Sequence, residues 1–111
     1  SKEKFLLRRY TNMTTKKLIP HLEKDIGKMT FGMFLRVNRK RMELTQVEMA
    51  KKLKMARGTL CDIEKGRQIV SPQLAVKIAK ICKFPNVIAV QLAVQDQLRK
   101  ANLKYKVKIA A

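Results

Sequence analysis

The chain has 111 residues, with 26 Lys and Arg against 8 Asp and Glu, no Trp, and only 4 Gly and 3 Pro, for a formal net charge of +18. That length suits one domain with about four or five helices around a single core and leaves no room for an elaborate enzyme site as well. Scarce Gly and Pro disfavour sandwiches and barrels against a helical fold, and no apolar run reaches the roughly 18 residues needed to cross a membrane.

The charge is spread along the chain: +5 over residues 1–29, +9 over 30–84 and +4 over 85–111. Such basicity exceeds what solubility needs and repels itself, so it implies a polyanionic partner. Nucleic acid is the first choice and an anionic membrane surface the second. Residues 1–15 form a basic stretch anchored only by Phe5, Leu6, Leu7 and Tyr10, without the apolar region of a signal peptide, so secretion is not expected. A short helix follows over 16–25: Leu18, Leu22 and Ile26 recur at helical spacing, Pro20 suits its first turn and Gly27 its end.

Thr30 is the N-cap of a first main helix running to about Met42, with Phe31, Phe34, Leu35 and Asn38 along one side. Thr45 caps the second, with Glu48 completing a capping box and Val47, Ala50 and Leu53 facing inward. The third runs from near Ala56 to Gly66. Ser71 and Pro72 open the fourth as N-cap and N1, with Leu74, Ala75, Ile78 and Ile81 inward. Pro85 and Asn86 open the fifth, from Val87 to about Ala101. Beyond it the period changes to alternation, Tyr105, Val107 and Ile109 against Lys104, Lys106 and Lys108, which is a strand signal. The expected fold is therefore all-α, with five main helices, a basic N-terminal extension and a short C-terminal β-strand tail.

Catalytic or metal chemistry finds little support in this pattern. Cys61 and Cys82 each stand alone in helical segments, with no CxxC or Cys/His spacing for zinc, and a reduced cytosolic chain is the simpler reading than a disulfide. His21 has no nucleophile partner, and no Gly-rich phosphate loop is present. Neither an enzyme nor a cofactor is expected.

The third helix carries the clearest functional signal. At about 100° per residue, Leu60 and Ile63 define a buried side, and Gly58, Asp62, Lys65 and Cys61 fall opposite, flanked by Arg57 and Thr59. A small, polar outer face at the start of a helix suits close approach to a partner. In a basic chain the floor of a major groove fits, since it admits an α-helix and distinguishes all four base pairs. An ordinary helical hairpin with a solvated face fits the same pattern equally well.

The order Thr45-Gln46, Ala50, Leu53, Met55, Arg57, Leu60, Ile63, Glu64, Gly66, with Arg39 before it and Ser71-Pro72-x-Leu74 after it, resembles the helix-turn-helix of the phage lambda repressor and Cro-like (XRE-type) family. The resemblance covers roughly residues 30–84. It implies a five-helix repressor-like domain with the third helix reading DNA, and it places Arg57, Gly58, Thr59 and Asp62 at base-edge positions. It also implies that Thr45 and Gln46 open the helix crossing the backbone, that Arg67 and Gln68 lie in a phosphate-contacting loop, and that Arg39 and Glu64 form a structural salt bridge. Two positions depart from the family: Lys54 stands where the turn usually has Gly, and Ala56 where Ser or Thr usually caps the recognition helix.

The implied organisation is a basic arm over 1–29, the helix-turn-helix domain over 30–84, and a fifth helix with strand-like tail over 85–111 for dimerisation through Val87, Val90, Val94, Tyr105, Val107 and Ile109. The function expected is a cytoplasmic, nucleoid-associated homodimer that binds double-stranded DNA sequence-specifically as a bacterial or phage repressor. One alternative is an antitoxin that binds a protein toxin and autoregulates its operon. A second is a non-specific basic RNA-binding protein.

Overall fold

The computed structural model describes residues 29–105 and 107, and the described part is built from helices. The expected basic arm, the short helix over 16–25, His21 and Ile109 lie outside these residues. Met29 does not belong to an arm: it is fully buried and joins the core.

Each helix begins where local chemistry dictates. Thr30 adopts an extended backbone and its hydroxyl accepts the Met33 N–H at 3.1 Å, starting α1, Phe31–Arg41. In α2, Gln46–Leu53, the Thr45 hydroxyl accepts the Glu48 N–H at 3.1 Å and the Glu48 carboxylate accepts the Thr45 N–H at 3.0 Å, a complete capping box. α3, Arg57–Glu64, follows Ala56 and has no side-chain cap. Ser71 caps α4, Pro72–Cys82, by accepting the Leu74 N–H at 3.2 Å, with Pro72 at its first position. α5, Asn86–Lys100, starts after Pro85 without a side-chain cap.

All five helices stop on a left-handed residue: Glu43, Lys54, Gly66, Lys83 and Asn102, with φ between 56° and 77°. Backbone bonds hold each reversal, as in Leu44 N–H to Arg39 carbonyl at 3.1 Å, Met55 to Ala50 at 3.0 Å and Leu103 to Leu98 at 2.9 Å. Only one of the five is Gly, so the other four carry a conformational cost on the order of 1 kcal/mol each.

The core gathers Phe31, Phe34, Leu35, Met49, Leu60, Ile63, Ile78 and Leu92, all nearly inaccessible to solvent. Phe34 meets Phe84 edge-to-face with ring centroids 4.9 Å apart. Cys82 lies with its sulfur 3.8 Å from that of Met49, and burial pushes its thiol pKa up. Both cysteines are free thiols.

Two long-range contacts place α1. At Gly32 a Cβ would collide with the carbonyl oxygen of Ile63, so this end of α1 lies directly against the end of α3 and only Gly permits it. Asp96 of α5 accepts the Phe31 N–H at 2.9 Å and also receives Arg99 at 2.8 Å.

The structure corrects several expectations. Val47 points outward and Met49 is buried in its place, because the inward arc of α2 centres between Met49 and Leu53, turning Val47 away. In α4 the deepest residues are Ala75, Ile78, Ala79 and Cys82, while Leu74 and Ile81 are only partly buried. Asn38 is buried by donating back to the Phe34 carbonyl at 2.9 Å. The tail forms no strand among the described residues: α5 reverses at Asn102 and the tail folds back on it. There Gln95 donates to the Tyr105 carbonyl at 2.8 Å and accepts the Val107 N–H at 2.9 Å, and Gln91 donates to the Val107 carbonyl at 3.1 Å. Side-chain amides thus satisfy the backbone groups that a neighbouring strand would have paired.

Candidate nucleic-acid interface

The turn between α2 and α3 is Lys54, Met55 and Ala56. Lys54 takes the left-handed conformation, φ 56° and ψ 46°, and donates its N–H to the Lys51 carbonyl at 3.1 Å. Met55 packs partly against the core and Ala56 returns to an extended backbone, φ −69° and ψ 146°. This reversal lets α3 leave α2 at an angle rather than beside it. Leu60 makes the first intrahelical bond of α3, to the Ala56 carbonyl at 3.1 Å. With no side-chain cap, the N–H groups of Arg57, Gly58 and Thr59 remain open to an acceptor from outside, and helix N-termini favour anions there.

The outer face of α3 matches the wheel read from the sequence. Arg57 and Gly58 are exposed, Thr59 and Asp62 are partly exposed, and Leu60 and Ile63 are buried. A Cβ at Gly58 would meet nothing within 4 Å. Arg57 makes no ion pair or hydrogen bond among the described residues.

The network beneath α3 fixes its position. Glu64 is 3% exposed, and its carboxylate receives Arg39 Nε at 2.8 Å, Arg39 Nη2 at 3.2 Å and Gln46 Nε2 at 3.2 Å. Arg39 Nη1 donates to the Leu44 carbonyl at 2.9 Å, so one guanidinium joins α1, the loop before α2 and the end of α3. A buried carboxylate with two forked guanidinium bonds and an amide donor is compensated, whereas an unpaired one would be strongly destabilising.

Several residues assigned outward roles by the sequence are engaged internally. Gln46 donates one amide N–H to Glu64, and the Thr45 hydroxyl caps α2. That cap, first through the Thr45 N–H and then its hydroxyl, holds the Glu48 carboxyl below its usual pKa. Asp62 faces Arg67 at 3.7 Å, with both side chains exposed, an ion pair of small worth. The Asp62 carbonyl also accepts the N–H groups of Arg67 at 2.8 Å and Gln68 at 3.2 Å, which shapes the exposed loop after α3.

Further cations lie on α2, α3 and the end of α1, of which the sequence already places Lys65 on the outer face and Lys54 at the turn. Lys54 and Lys65 are exposed at the two ends of α3, and Lys51 and Lys52 lie exposed on α2. At the end of α1, burial and then the charges of Arg36 and Arg39 lower the Lys40 pKa, a sign of crowded positive charge. Nη1 of Arg41, in the same turn, is buried without a hydrogen-bond partner. For Lys40 and Arg41 the signal was the charge run from Arg39 to Arg41, which periodicity alone does not assign to a face.

Among the described residues no cluster of His, Cys, Asp and Glu could hold a metal ion, and no helix is long and apolar enough to cross a membrane. Residues 30–89, more than half of the chain, match the family described as a helix-turn-helix domain. Searches of curated proteins and of solved structures each give no match. The match takes in α1 to α4 and the start of α5, including the short turn at Lys54 and the exposed face of α3, and the chain belongs to the DNA-binding helix-turn-helix domain family.

Proposed function

We propose that this chain is a sequence-specific regulator of transcription, acting as a repressor, that binds double-stranded DNA as a homodimer and reads the major groove with α3. It acts by binding, without catalysis. The observation that carries this reading is the start of α3: an exposed Arg57, an unobstructed Gly58 and uncapped N–H groups, held by the buried Arg39–Glu64–Gln46 network. Arg57 is placed to fork onto a guanine, with Thr59 beside it. Asp62, on the same outer face, offers an acceptor for a cytosine amino group.

The homodimer is supported by α5. Val87 is exposed, Val90 and Val94 are half-buried, and all three share one side of the helix. Tyr105, exposed, and Val107, half-buried, extend that surface along the tail that Gln91 and Gln95 hold in place. Two copies related by a two-fold axis would present their α3 helices to successive half-sites one DNA turn apart.

Selection of bound sequences from a random duplex pool tests the whole reading. A two-fold symmetric preferred site is expected, and Arg57→Ala should weaken binding to it by about 1–3 kcal/mol while relaxing preference at one base pair. Equal recovery of all duplexes, or tighter binding to RNA, would overturn the proposal. A recovered single half-site without symmetry would overturn the homodimer alone.

A further inference from the structure

A recess of about 300 Å³ lies beside the loop after α3, lined by Thr30, Gly66, Arg67 and Ile69 on one side and by Asp96, Arg99 and Lys100 of α5 on the other. Three cations and one carboxylate meet there from segments about thirty residues apart in sequence. The carboxylate is occupied: Asp96 receives the Phe31 N–H and the Arg99 guanidinium, each bond under 3 Å. The start of α1 is likewise engaged by Asp96 and Thr30, so the helix end is not what makes the recess attractive to an anion. What remains is the charge of Lys100, which is exposed, and of Arg67, whose side chain is 68% exposed and only loosely paired at 3.7 Å. One cation without an ion pair among the described residues and one only weakly paired line the same concavity.

Its position gives the ligand. Arg67 touches Asp62, which belongs to the outer face of α3, so the recess adjoins the end of the proposed reading helix. An eight-residue helix is about 12 Å long, close to the width of the major groove. With α3 in the groove, the loop at its end reaches the flanking strand, where phosphates stand. We infer that Arg67 and Lys100 together hold one backbone phosphate of the bound duplex, so that the end of α5 extends the DNA footprint beyond the helix-turn-helix. This rests on the reading of α3 as the DNA-reading helix. Such a contact positions the domain on DNA and carries no base preference.

The salt dependence of binding tests it, because each phosphate contact adds about 0.9 to the slope of log affinity against log salt. Lys100→Ala and Arg67→Ala are compared with Lys80→Ala, an exposed lysine of α4 away from the recess. On the full chain, Lys100→Ala is expected to flatten the slope by about one unit and to weaken preferred and scrambled duplexes by the same factor. Lys80→Ala should leave the slope unchanged. A slope for Lys100→Ala equal to that of the unaltered chain would overturn the inference while leaving the reading of α3 intact. Absence of any preferred duplex for the unaltered chain would overturn that reading itself, and this inference with it. In parallel, amide shifts of Gly66 and Lys100 are followed by NMR while inorganic phosphate alone is added. Saturation by free phosphate together with an unchanged slope would make the recess a small-anion site and sink the duplex contact.

Discussion

The carboxylate of Asp96 accepts the backbone N–H of Phe31 at 2.9 Å across 65 residues of sequence, so the last turns of α5 cap the first turn of α1. Burial raises the Asp96 pKa despite this bond and the Arg99 guanidinium, both of which act to lower it. The folded state therefore holds the Asp96 proton more tightly than the unfolded chain does. Stability from this group is fully present below the unfolded carboxylate range, near about 3.9, and is lost as pH rises through the raised folded value. Asp96→Asn keeps an acceptor for Phe31 without the charge, so its stability relative to the parent should rise between pH 3 and pH 7. Asp96→Ala, which orphans the N–H, should lose about 1–2 kcal/mol. Thermal melts across that range check both, and a constant or falling difference for Asp96→Asn would refute the assignment. Glu48 acts in the opposite sense: its lowered pKa favours folding above the carboxylate range and ceases to do so as pH falls.

Arg39→Ala should cost about 3–5 kcal/mol, because Glu64 would remain buried with only the Gln46 amide as donor. Replacing both charges, Arg39→Met with Glu64→Leu, should recover most of that loss. Urea titration of the two variants distinguishes this from simple loss of packing, for which the double change would be the worse of the two.

The two helical glycines should respond in opposite ways to the same change. Gly32→Ala drives a methyl into the backbone at Ile63 and Glu64 and should destabilise by about 1–3 kcal/mol, since neither helix end can move freely. Gly58→Ala meets open space and should hold or raise stability, by up to about 1 kcal/mol. Paired melting curves suffice, and a similar loss at both positions would contradict the packing described.

Lys54→Gly should stabilise the fold by about 1 kcal/mol, relieving a left-handed backbone at a position where no side-chain bond is lost. Denaturation midpoints give the change. A decrease would mean that the lysine stem contributes packing that outweighs the backbone relief.

What could be read from the sequence was what is decided within a few residues. Thr30, the Thr45–Glu48 box and Ser71-Pro72 each act on N–H groups three positions away, so composition and spacing suffice. The outer face of α3 followed from helical geometry once Leu60 and Ile63 were taken as buried. Val47 was misplaced because one short helix offers several apolar arcs, and only the packing of Met49 against Cys82 and the rest of the core selects among them. Asp96, Gln91 and Gln95 gave no local signal, since their partners are set by how α5 and the tail come together. The bond from Gln46 to Glu64 likewise gave no local signal, since its partner lies eighteen residues away.

The open space at Gly58 frees that position from the demands of folding. A longer side chain introduced there projects from the start of α3 without displacing any atom of the core, so under the proposed reading of α3 a change at that one position would alter binding preference while the scaffold stays as it is. On that reading, chains alike everywhere else would differ in the duplex they prefer and not in their fold.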